Sequence, residues 1–244
     1  MKLEILDPQK PNFPNPLSAM SEPDGLLAVG GNLKVATLLM AYRNGIFPWY
    51  QDTDPILWWC PSERCVIRPE NFHISKSLRR TLRQERYKVT LNTSFTDVIR
   101  ACAEPRGDGG TWITEEMIRA YERLFEQSQA HSVEVWDDNK LVGGIYGVSV
   151  GKVFCGESMF SRISNGSKIA IAHLIRLMQV KGMRILDCQL SNSHLFSLGA
   201  ELISRQQFIS ELNQLKMGEI ALPNTMEFPP AFCSGQDRVA AVNS

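Results

Sequence analysis

The fold is decided by two stretches of the chain, VSVGKVFCGESMF at residues 148–160 and MRILDCQ at residues 183–189. Each is mostly apolar, each predicts a buried strand, and each carries a carboxylate near its end, Glu157 in the first and Asp187 in the second. A carboxylate at the end of a buried strand costs roughly several kcal/mol unless something pairs with it or needs it. Because a helix-like stretch separates the two strands, the pattern predicts a ligand site where the strands end.

The composition is that of a soluble protein with a hydrophobic core, since 43% of the 244 residues are hydrophobic and 21% are charged. Lys plus Arg equals Asp plus Glu, so the net charge gives no information about a nucleic-acid partner. The charged start is soon interrupted by Pro8, and no run approaches the ~20 apolar residues of a membrane span. The six cysteines form no C-x-x-C pair, which favours reduced thiols and a cytoplasmic protein.

Residues 1–62 are rich in Pro, Gly and Trp, and they predict a small N-terminal domain with one helix from Lys34 to Asn44, stopped by Gly45. Residues 63–233 are more regular and predict a larger domain, and residues 234–244 predict a flexible tail. In the larger domain the predicted helices are 75–86, 95–103, 114–128, 167–181 and 206–217, and the predicted strands are 88–92, 132–136, 140–150, 153–160 and 183–188. This order of elements is that of an α+β domain of the N-acetyltransferase-like (GNAT-like) type.

The motifs of several reaction classes are missing from the chain. There is no P-loop, no G-x-G-x-x-G and no H-E-x-x-H, and the four histidines are scattered. Ser158 lacks the second glycine of a nucleophile elbow, and Cys188 has the apolar context of a structural thiol. We therefore expect no metal, no cofactor and no covalent intermediate. The pattern favours positioning and proton transfer on a substrate that is already activated.

The two carboxylates are the first candidate site residues. One alternative is structural, an ion pair of each with an arginine such as Arg162 or Arg184. The functional alternative rests on Asp187 and Gln189, because a period of two places them on one face of a strand. A carboxylate next to an amide is suited to hold and orient an amine nucleophile. Asn192 and Ser193, predicted to lie in the following turn, add further polar groups.

A basic helix is the second signal. Within residues 73–86, four of the five Lys and Arg residues form a stripe at or near helical spacing, opposed only by Glu85, and Leu78 and Leu82 mark the buried face. The four cations are Lys76, Arg79, Arg80 and Arg83. This stripe is either a solvated surface or a contact for a phosphate backbone, and nothing in it would distinguish one base sequence from another.

A group of apolar side chains is the third signal. Each is typical of a core residue when taken alone, whereas together they would line a pocket for one bulky hydrophobic side chain. The group comprises Trp49, Trp112, Met159, Ile171, Leu174 and Met178.

Several long motifs in this chain resemble those of one known family. They are GIFPW (45–49), WW (58–59), GTWIT (110–114), HSVEVW (131–136), LVGG (141–144), FCGESMFSR (154–162) and DCQ (187–189). Over about residues 13–232 the chain resembles the leucyl/phenylalanyl-tRNA–protein transferase family.

The resemblance implies an aminoacyltransferase that moves Leu or Phe, and Met less well, from an aminoacyl-tRNA to the N-terminal Arg or Lys of a protein. The product is a destabilising N-terminus that marks the protein for degradation. The implied fold is a small N-terminal domain followed by a GNAT-like domain. The implied partners are Leu-tRNA, Phe-tRNA and the acceptor proteins, with no membrane and no DNA, and we expect a monomer.

The resemblance also implies roles for individual residues. Asp187 and Gln189 would orient the attacking amine and help to remove its proton, with Asn192 as a further polar contact. Glu157 would bind the cationic side chain of the acceptor's first residue. The implied aminoacyl pocket consists of Trp49, Trp112, Met159, Ile171, Leu174 and Met178, with Tyr42 stacked on the terminal adenosine, and the implied tRNA contacts are Lys76, Arg79, Arg80 and Arg83.

Two rival functions remain open at this point. An acyl-CoA-dependent N-acetyltransferase would share the predicted fold, but the stretch from Arg162 to Lys168 has one glycine where a pyrophosphate loop needs more. A non-catalytic tRNA-binding module would explain the basic helix but not Glu157 and Asp187. The sequence also leaves open the order of preference among Leu, Phe and Met, because Leu174 and Met178 are aliphatic where rings are expected.

Overall fold

The computed structural model describes residues 3–105, 111–218 and 220–233. These residues form two β-sheets and seven α-helices, so the protein is of the mixed α+β class, as predicted. The predicted tail, residues 234–244, lies outside the described residues.

The bounds of the elements follow chain order. The strands are β1 (Glu4–Leu6), β2 (Leu26–Gly30), β3 (Phe47–Pro48), β4 (Leu57–Trp59), β5 (Glu63–Ile67), β6 (Lys88–Leu91), β7 (Ala130–Asp137), β8 (Lys140–Val150), β9 (Val153–Ser161), β10 (Ile185–Gln189), β11 (Glu201–Ser204) and β12 (Met226–Glu227). The helices are α1 (Val35–Arg43), α2 (Lys76–Arg83), α3 (Phe95–Ala103), α4 (Glu115–Glu126), α5 (Gly166–Lys181), α6 (Ser193–Ser197) and α7 (Arg205–Leu215). Two short 3₁₀ helices lie at Pro16–Ser18 and Pro69–Asn71.

Helix ends lie where the sequence signals predict them. Ser75 caps α2 by accepting a hydrogen bond from the amide of Leu78, and Thr114 caps α4 by accepting one from Met117. After α1 the chain turns at Gly45, whose φ of +74° is easily adopted by a residue without a side chain. The predicted helices are therefore confirmed, with differences of a few residues at their ends.

The larger sheet positions the site. Its strand order is β11-β5-β10-β9-β8-β7-β6-β12. Among these described strands, β9 and β10 form the parallel pair, joined by the crossing helix α5, and the other neighbours are antiparallel. Cys155 lies opposite Asp187 in the parallel register. The two stretches that opened the sequence analysis are therefore neighbouring strands that end at the same edge.

The smaller sheet comes from the beginning of the chain. Its order is β1-β2-β4-β3, with β1 parallel to β2 and the other pairs antiparallel. Its central side chain is Trp58, which is fully buried and donates its indole N–H to the carbonyl of Gly30 at 2.9 Å. The aromatic residues of this region pack as expected for large rings, but the sequence predicted none of its short strands.

The two sheets contribute to one hydrophobic cluster. It joins Leu38 and Trp58 from the first part of the chain to Tyr121, Tyr146 and Ile185 from the second. A second cluster packs α2 and α5 on the other face of the larger sheet. The change from one sheet to the other falls between β4 and β5, and the division into domains at residue 62 stays a prediction.

Several short elements were missed. The sequence analysis predicted no structure for β5, β11 or β12, and it placed Asn192 and Ser193 in a turn, whereas Asn192 caps α6 and Ser193 begins it. Strands and helices of two to five residues are too short to show a hydrophobic period. Among the described residues, no helix is both long enough and apolar enough to cross a membrane.

Candidate active site

Neighbouring strands bring Glu157 and Gln189 together. The side-chain amide of Gln189 donates a hydrogen bond to Oε1 of Glu157 at 3.3 Å. Gln189 is the last residue of β10, whereas Glu157 lies in the middle of β9 and not at its end as predicted. The parallel pairing of the two strands therefore sets polar side chains from distant parts of the chain side by side.

Asp187 is paired with an arginine that the sequence analysis did not consider. Nε and Nη2 of Arg64, on β5, each donate to one oxygen of Asp187 at 2.7 Å. The side chains are 1% and 0% exposed. The suggested partners were wrong: Arg162 pairs with Glu104 on the surface, and the recorded bond of Arg184 runs from its amide to the carbonyl of Lys152. The physical reason is the antiparallel pairing of β5 with β10, which sets Asp187 opposite Val66 and brings Arg64 within reach.

Gln189 does not continue the strand regularly. The register of β10 against β5 shifts between Asp187 and Gln189, and Gln189 has a φ of +56°. Its amide donates to Oδ1 of Asp187 at 3.0 Å. The regular period of two on which the shared face was predicted is therefore interrupted by a bulge, and the shared face stays a prediction. The bulge aims Gln189 at Glu157 while Asp187 points to Arg64.

Glu157 is partly buried and accepts hydrogen bonds. The hydroxyl of Tyr121 donates to Oε2 of Glu157 at 2.8 Å, and the hydroxyls of Tyr121 and Tyr42 are themselves hydrogen-bonded to each other. Burial raises the pKa of Glu157 to about 7; hydrogen bonds from Tyr121 and Tyr42 lower it, and the nearby Asp187 raises it further. Glu157 therefore changes charge near neutral pH.

Tyr42 is placed differently from its predicted role. It is 1% exposed, belongs to the hydrophobic cluster shared by the two sheets, and is held by Tyr121. A ring in that position offers no free face to an adenosine. The prediction of stacking is corrected for this reason: α1 turns Tyr42 into the core, where it supports Tyr121 and Glu157.

Two cavities meet at β9. The smaller has a volume of about 200 Å³, combines apolar walls with the polar side chains Glu157, Gln189 and Asn192, and is lined by Ile145, Gly156, Glu157, Ser158, Met159, Ile171, Leu186, Cys188, Gln189, Leu190, Asn192 and Leu195. The larger, of about 640 Å³, has Trp49, Trp59 and Trp112 in its wall. Ser158 lines both. Strand β9 thus separates an aromatic cavity from a small mixed one.

The predicted apolar pocket is distributed over these cavities. Met159 and Ile171 line the small cavity, and Trp49 and Trp112 line the aromatic cavity. Leu174 and Met178 are fully buried in the second hydrophobic cluster and line neither. The six side chains therefore do not form one pocket. Four of them are divided between the two cavities, and the other two lie one to two helical turns after Ile171 along α5.

Asn192 lines the small cavity next to Gln189, so it lies where a polar contact to substrate was predicted. Its Oδ1 accepts a hydrogen bond from the amide of Leu195 at 2.9 Å. The side chain therefore has a structural use as the cap of α6. Its amide nitrogen is the group that a substrate would meet.

Cys188 lines the small cavity beside the thiol of Cys65. Its hydrogen bond with Cys65, together with burial, raises the pKa of Cys188 well above the ordinary value. A thiol that holds its proton is a weak nucleophile. The geometry agrees with the prediction of a structural cysteine.

The four cations of the basic helix lie together on the surface of α2. Lys76, Arg79, Arg80 and Arg83 are all exposed and line a shallow groove of about 480 Å³ with Gln84. Within the described part of the chain, the structure records no ion pair for any of the four. This groove, lined by residues 76, 79, 80, 83 and 84, is called the basic groove below.

Arg64, Tyr121 and Ser158 were missed as site residues. Arg64 lies in the five-residue strand β5, which is too short to show a hydrophobic period that would reveal a buried charge. Tyr121 is one of several apolar residues on the buried face of α4. Ser158 was considered only as a nucleophile. The one available hint for Arg64 was its place directly before the apolar residues 65–67.

Comparisons with known proteins identify the family. The model of the leucyl/phenylalanyl-tRNA protein transferase matches residues 66–213, and the model of the N-terminal domain of that transferase matches residues 31–62. The leucyl/phenylalanyl-tRNA–protein transferase of Cellvibrio japonicus is 53% identical over 83% of this chain and 87% of its own length. The protein of that name from Shigella dysenteriae is 48% identical over 97% of this chain and 100% of its own.

Among solved structures, that of L-PGS from Bacillus licheniformis is a distant likeness, with a TM-score of 0.37, 12% identity, and coverage of 66% of this chain and 52% of the other. The family assignment rests on the sequence matches. These matches place the chain among the aminoacyltransferases. The chain belongs to the leucyl/phenylalanyl-tRNA protein transferase family.

Proposed function

We propose that this protein transfers Leu or Phe, and Met less well, from an aminoacyl-tRNA to the N-terminal Arg or Lys of acceptor proteins. The ester bond between the aminoacyl carbonyl carbon and the ribose oxygen breaks, and an amide bond to the acceptor's α-nitrogen forms. One proton leaves the attacking amine, and the ribose hydroxyl leaves protonated. The single observation that carries the proposal is Glu157, a carboxylate that lines a cavity beside Gln189 and makes no ion pair within the described part of the chain.

The donor substrate would occupy both cavities. The terminal adenosine stacks against the tryptophans of the aromatic cavity, and the aminoacyl side chain enters the small cavity at Met159 and Ile171. The ester then lies near Ser158, the residue common to both walls. An apolar cavity distinguishes one methylene by only ~1–3 kcal/mol, which supports acceptance of Met beside Leu and Phe.

The acceptor would be held by its cationic side chain. Glu157 attracts a guanidinium or ammonium group, and a hydrogen bond of that kind contributes about 1.5–3 kcal/mol. The requirement for Arg or Lys follows from this charge. Gln189, whose amide touches Glu157, is then adjacent to the α-amine.

Asp187 would act without touching the substrate. It is fully buried, and both of its oxygens accept hydrogen bonds from Arg64. A carboxylate held in this way orients Gln189 by accepting a hydrogen bond from its backbone amide. It is not placed to accept the proton of the attacking α-amine. Among the catalytic residues predicted from the resemblance, Gln189 and Asn192 therefore remain the ones that would contact the reacting groups.

A reaction without a covalent enzyme intermediate fits this donor. An aminoacyl ester is already activated, and the attacking amine, with a pKa of about 7.7–8.0, is partly neutral at cytosolic pH. Orientation supplies the remaining requirement. The raised pKa of the Cys188 thiol supports a direct attack by the amine.

The remaining predictions extend the proposal. The basic groove would hold the tRNA acceptor stem through its phosphates. The parallel pair β9–β10, crossed by α5 and open at its end, supports a GNAT-like domain. We further propose that the protein works as a monomer in the cytoplasm, where its charged-tRNA donor would be found, and that its product enters protein degradation.

The test is the transfer of labelled Leu from charged tRNA to a peptide that begins with Arg. The expected product carries Leu on its N-terminus, and a peptide with an acetylated N-terminus is the control that gives none. No transfer in a reaction where the tRNA stays charged would refute the proposal. Transfer of an acetyl group from acetyl-CoA to the same peptide would instead support the N-acetyltransferase, and binding of tRNA without either product would support the binding module.

A further inference from the structure

Arg64 is held in one orientation from four sides. Two of its nitrogens donate to Asp187, and Nη1 donates to the carbonyl of Gly45 at 3.1 Å. The rings of Phe47 and Phe208 lie 4.8 and 4.5 Å from the guanidinium carbon. A planar guanidinium fixed by hydrogen bonds and rings holds its bonded carboxylate in one plane.

The carboxylate in turn holds a residue of the site. Oδ1 of Asp187 accepts both Nε of Arg64 and the amide of Gln189. Gln189 has a φ of +56°, a conformation that costs a residue with a side chain free energy unless its surroundings hold it there. The hydrogen bond to Asp187 is such a restraint. A shift of Asp187 would therefore change the direction of the Gln189 side chain.

The same arginine also contacts the segment that leads to the aromatic cavity. Gly45 and Phe47 both touch Arg64, and Trp49, two residues later, lines that cavity. Arg64 thus contacts both Asp187, which holds Gln189, and the segment that leads to Trp49 in the wall of the aromatic cavity.

We infer that Arg64 is a positioning residue for the transfer reaction. Its paired hydrogen bonds to Asp187 hold the carboxylate that fixes the bulge at Gln189, and the bulge places the side-chain amide of Gln189 beside Glu157. This inference rests on the proposed function. Arg64 touches no substrate, and its effect on the rate passes through Gln189.

The test is a double-mutant cycle in the steady-state transfer of Leu to a peptide that begins with Arg. Arg64→Lys keeps the positive charge and removes the two-pronged hydrogen bond. We expect it to lower kcat at least about tenfold, with KM for charged tRNA and for peptide changed less than about threefold. In the Gln189→Ala background, the same substitution should lower kcat less than about twofold, since residues that act as a unit are not additive.

Arg68→Lys is the matched control. Arg68 directly follows β5, and it makes three hydrogen bonds, one to Glu201 and two to Glu211, but it lies at the surface and contacts no site residue. It should leave kcat within about twofold in both backgrounds. A kcat for Arg64→Lys within about twofold of the original, or an equal factor lost in the Gln189→Ala background, would overturn the inference.

Thermal unfolding shows whether each variant is folded. If Arg64→Lys does not fold, Phe208→Leu replaces it, because it removes a ring from the guanidinium and leaves the ion pair intact. The expected loss in kcat is about threefold, again absent in the Gln189→Ala background, and an additive loss overturns the inference. If the unaltered protein transfers nothing, the proposed function fails; if it transfers Leu and Arg64→Lys equals it, this inference alone fails.

Discussion

The neighbouring strands β9 and β10 each carry a carboxylate, and the two carboxylates have opposite surroundings. Asp187 is sealed from solvent and neutralised by Arg64. Glu157 is bonded to a tyrosine hydroxyl and an amide, it lines a cavity, and among the described residues no ion pair is recorded for it. The buried pair is complete without a ligand, whereas under the proposed function Glu157 would gain a partner when a cation binds. This difference supports the proposal that Glu157 is the carboxylate that meets the substrate.

The largest effect should come from breaking the buried pair. Asp187→Leu leaves Arg64 charged and unpaired, so the free energy of unfolding should fall by about 3–5 kcal/mol. Adding Arg64→Met removes that charge and should restore most of the stability. Because the bulge at Gln189 loses its restraint in both variants, turnover should stay down about a hundredfold.

Urea unfolding and the peptide transfer assay measure these two quantities separately. An active double variant would place the pair outside the reaction. A double variant no more stable than Asp187→Leu would show that the loss does not arise from the unpaired charge.

Glu157 should produce the next largest effect, and it depends on pH. The pKa of Glu157 is raised from its ordinary value of 4.5 to about 7, so the folded state holds this proton more tightly than the unfolded state. The free energy of unfolding therefore loses this contribution as pH rises from about 4.5 to 7. Glu157→Gln removes the titration, so its stability relative to the original protein should rise by roughly 1–3 kcal/mol between pH 5 and pH 8.

Chemical unfolding of both proteins across this pH range tests the contrast with Asp187. A stability difference that stays constant with pH would contradict the raised pKa. Glu157 would then contribute a constant amount to the free energy of unfolding over this pH range.

The basic groove should give the smallest effect. Arg80→Gln with Arg83→Gln removes two phosphate contacts, so tRNA binding should weaken by about tenfold at low salt, and the slope of log affinity against log salt should fall by about 1–2. Arg119→Gln with Arg123→Gln removes the same charge from the exposed face of α4 and should leave the slope unchanged. Equal effects of the two pairs would indicate a general charge effect and would remove the tRNA from α2.

The sequence predicted the features that depend on local pattern. Ser75 and Thr114 were identified as helix starts because capping is a property of four adjacent residues. The strands that carry Glu157 and Asp187, with a helix between them, followed from the hydrophobic pattern of the sequence. These parts of the fold and site need no knowledge of distant contacts.

The features that were missed depend on contacts between distant segments. Arg64 reaches Asp187 across 123 positions of the chain, and no local pattern reports that pair. A bulge interrupts the strand at Gln189, and Tyr42 lies in the core with its hydroxyl bonded to that of Tyr121. Register shifts and buried hydroxyl pairs are set by packing, so they become visible only in three dimensions.

The most direct test of the central claim compares two acceptor peptides, one beginning with Arg and one with its uncharged analogue citrulline. The account predicts that the original protein favours Arg at least about tenfold in kcat/KM, that Glu157→Gln abolishes the preference, and that Asp187→Asn slows both peptides equally. Full preference for Arg in Glu157→Gln would contradict the account, because the cation would then be recognised elsewhere.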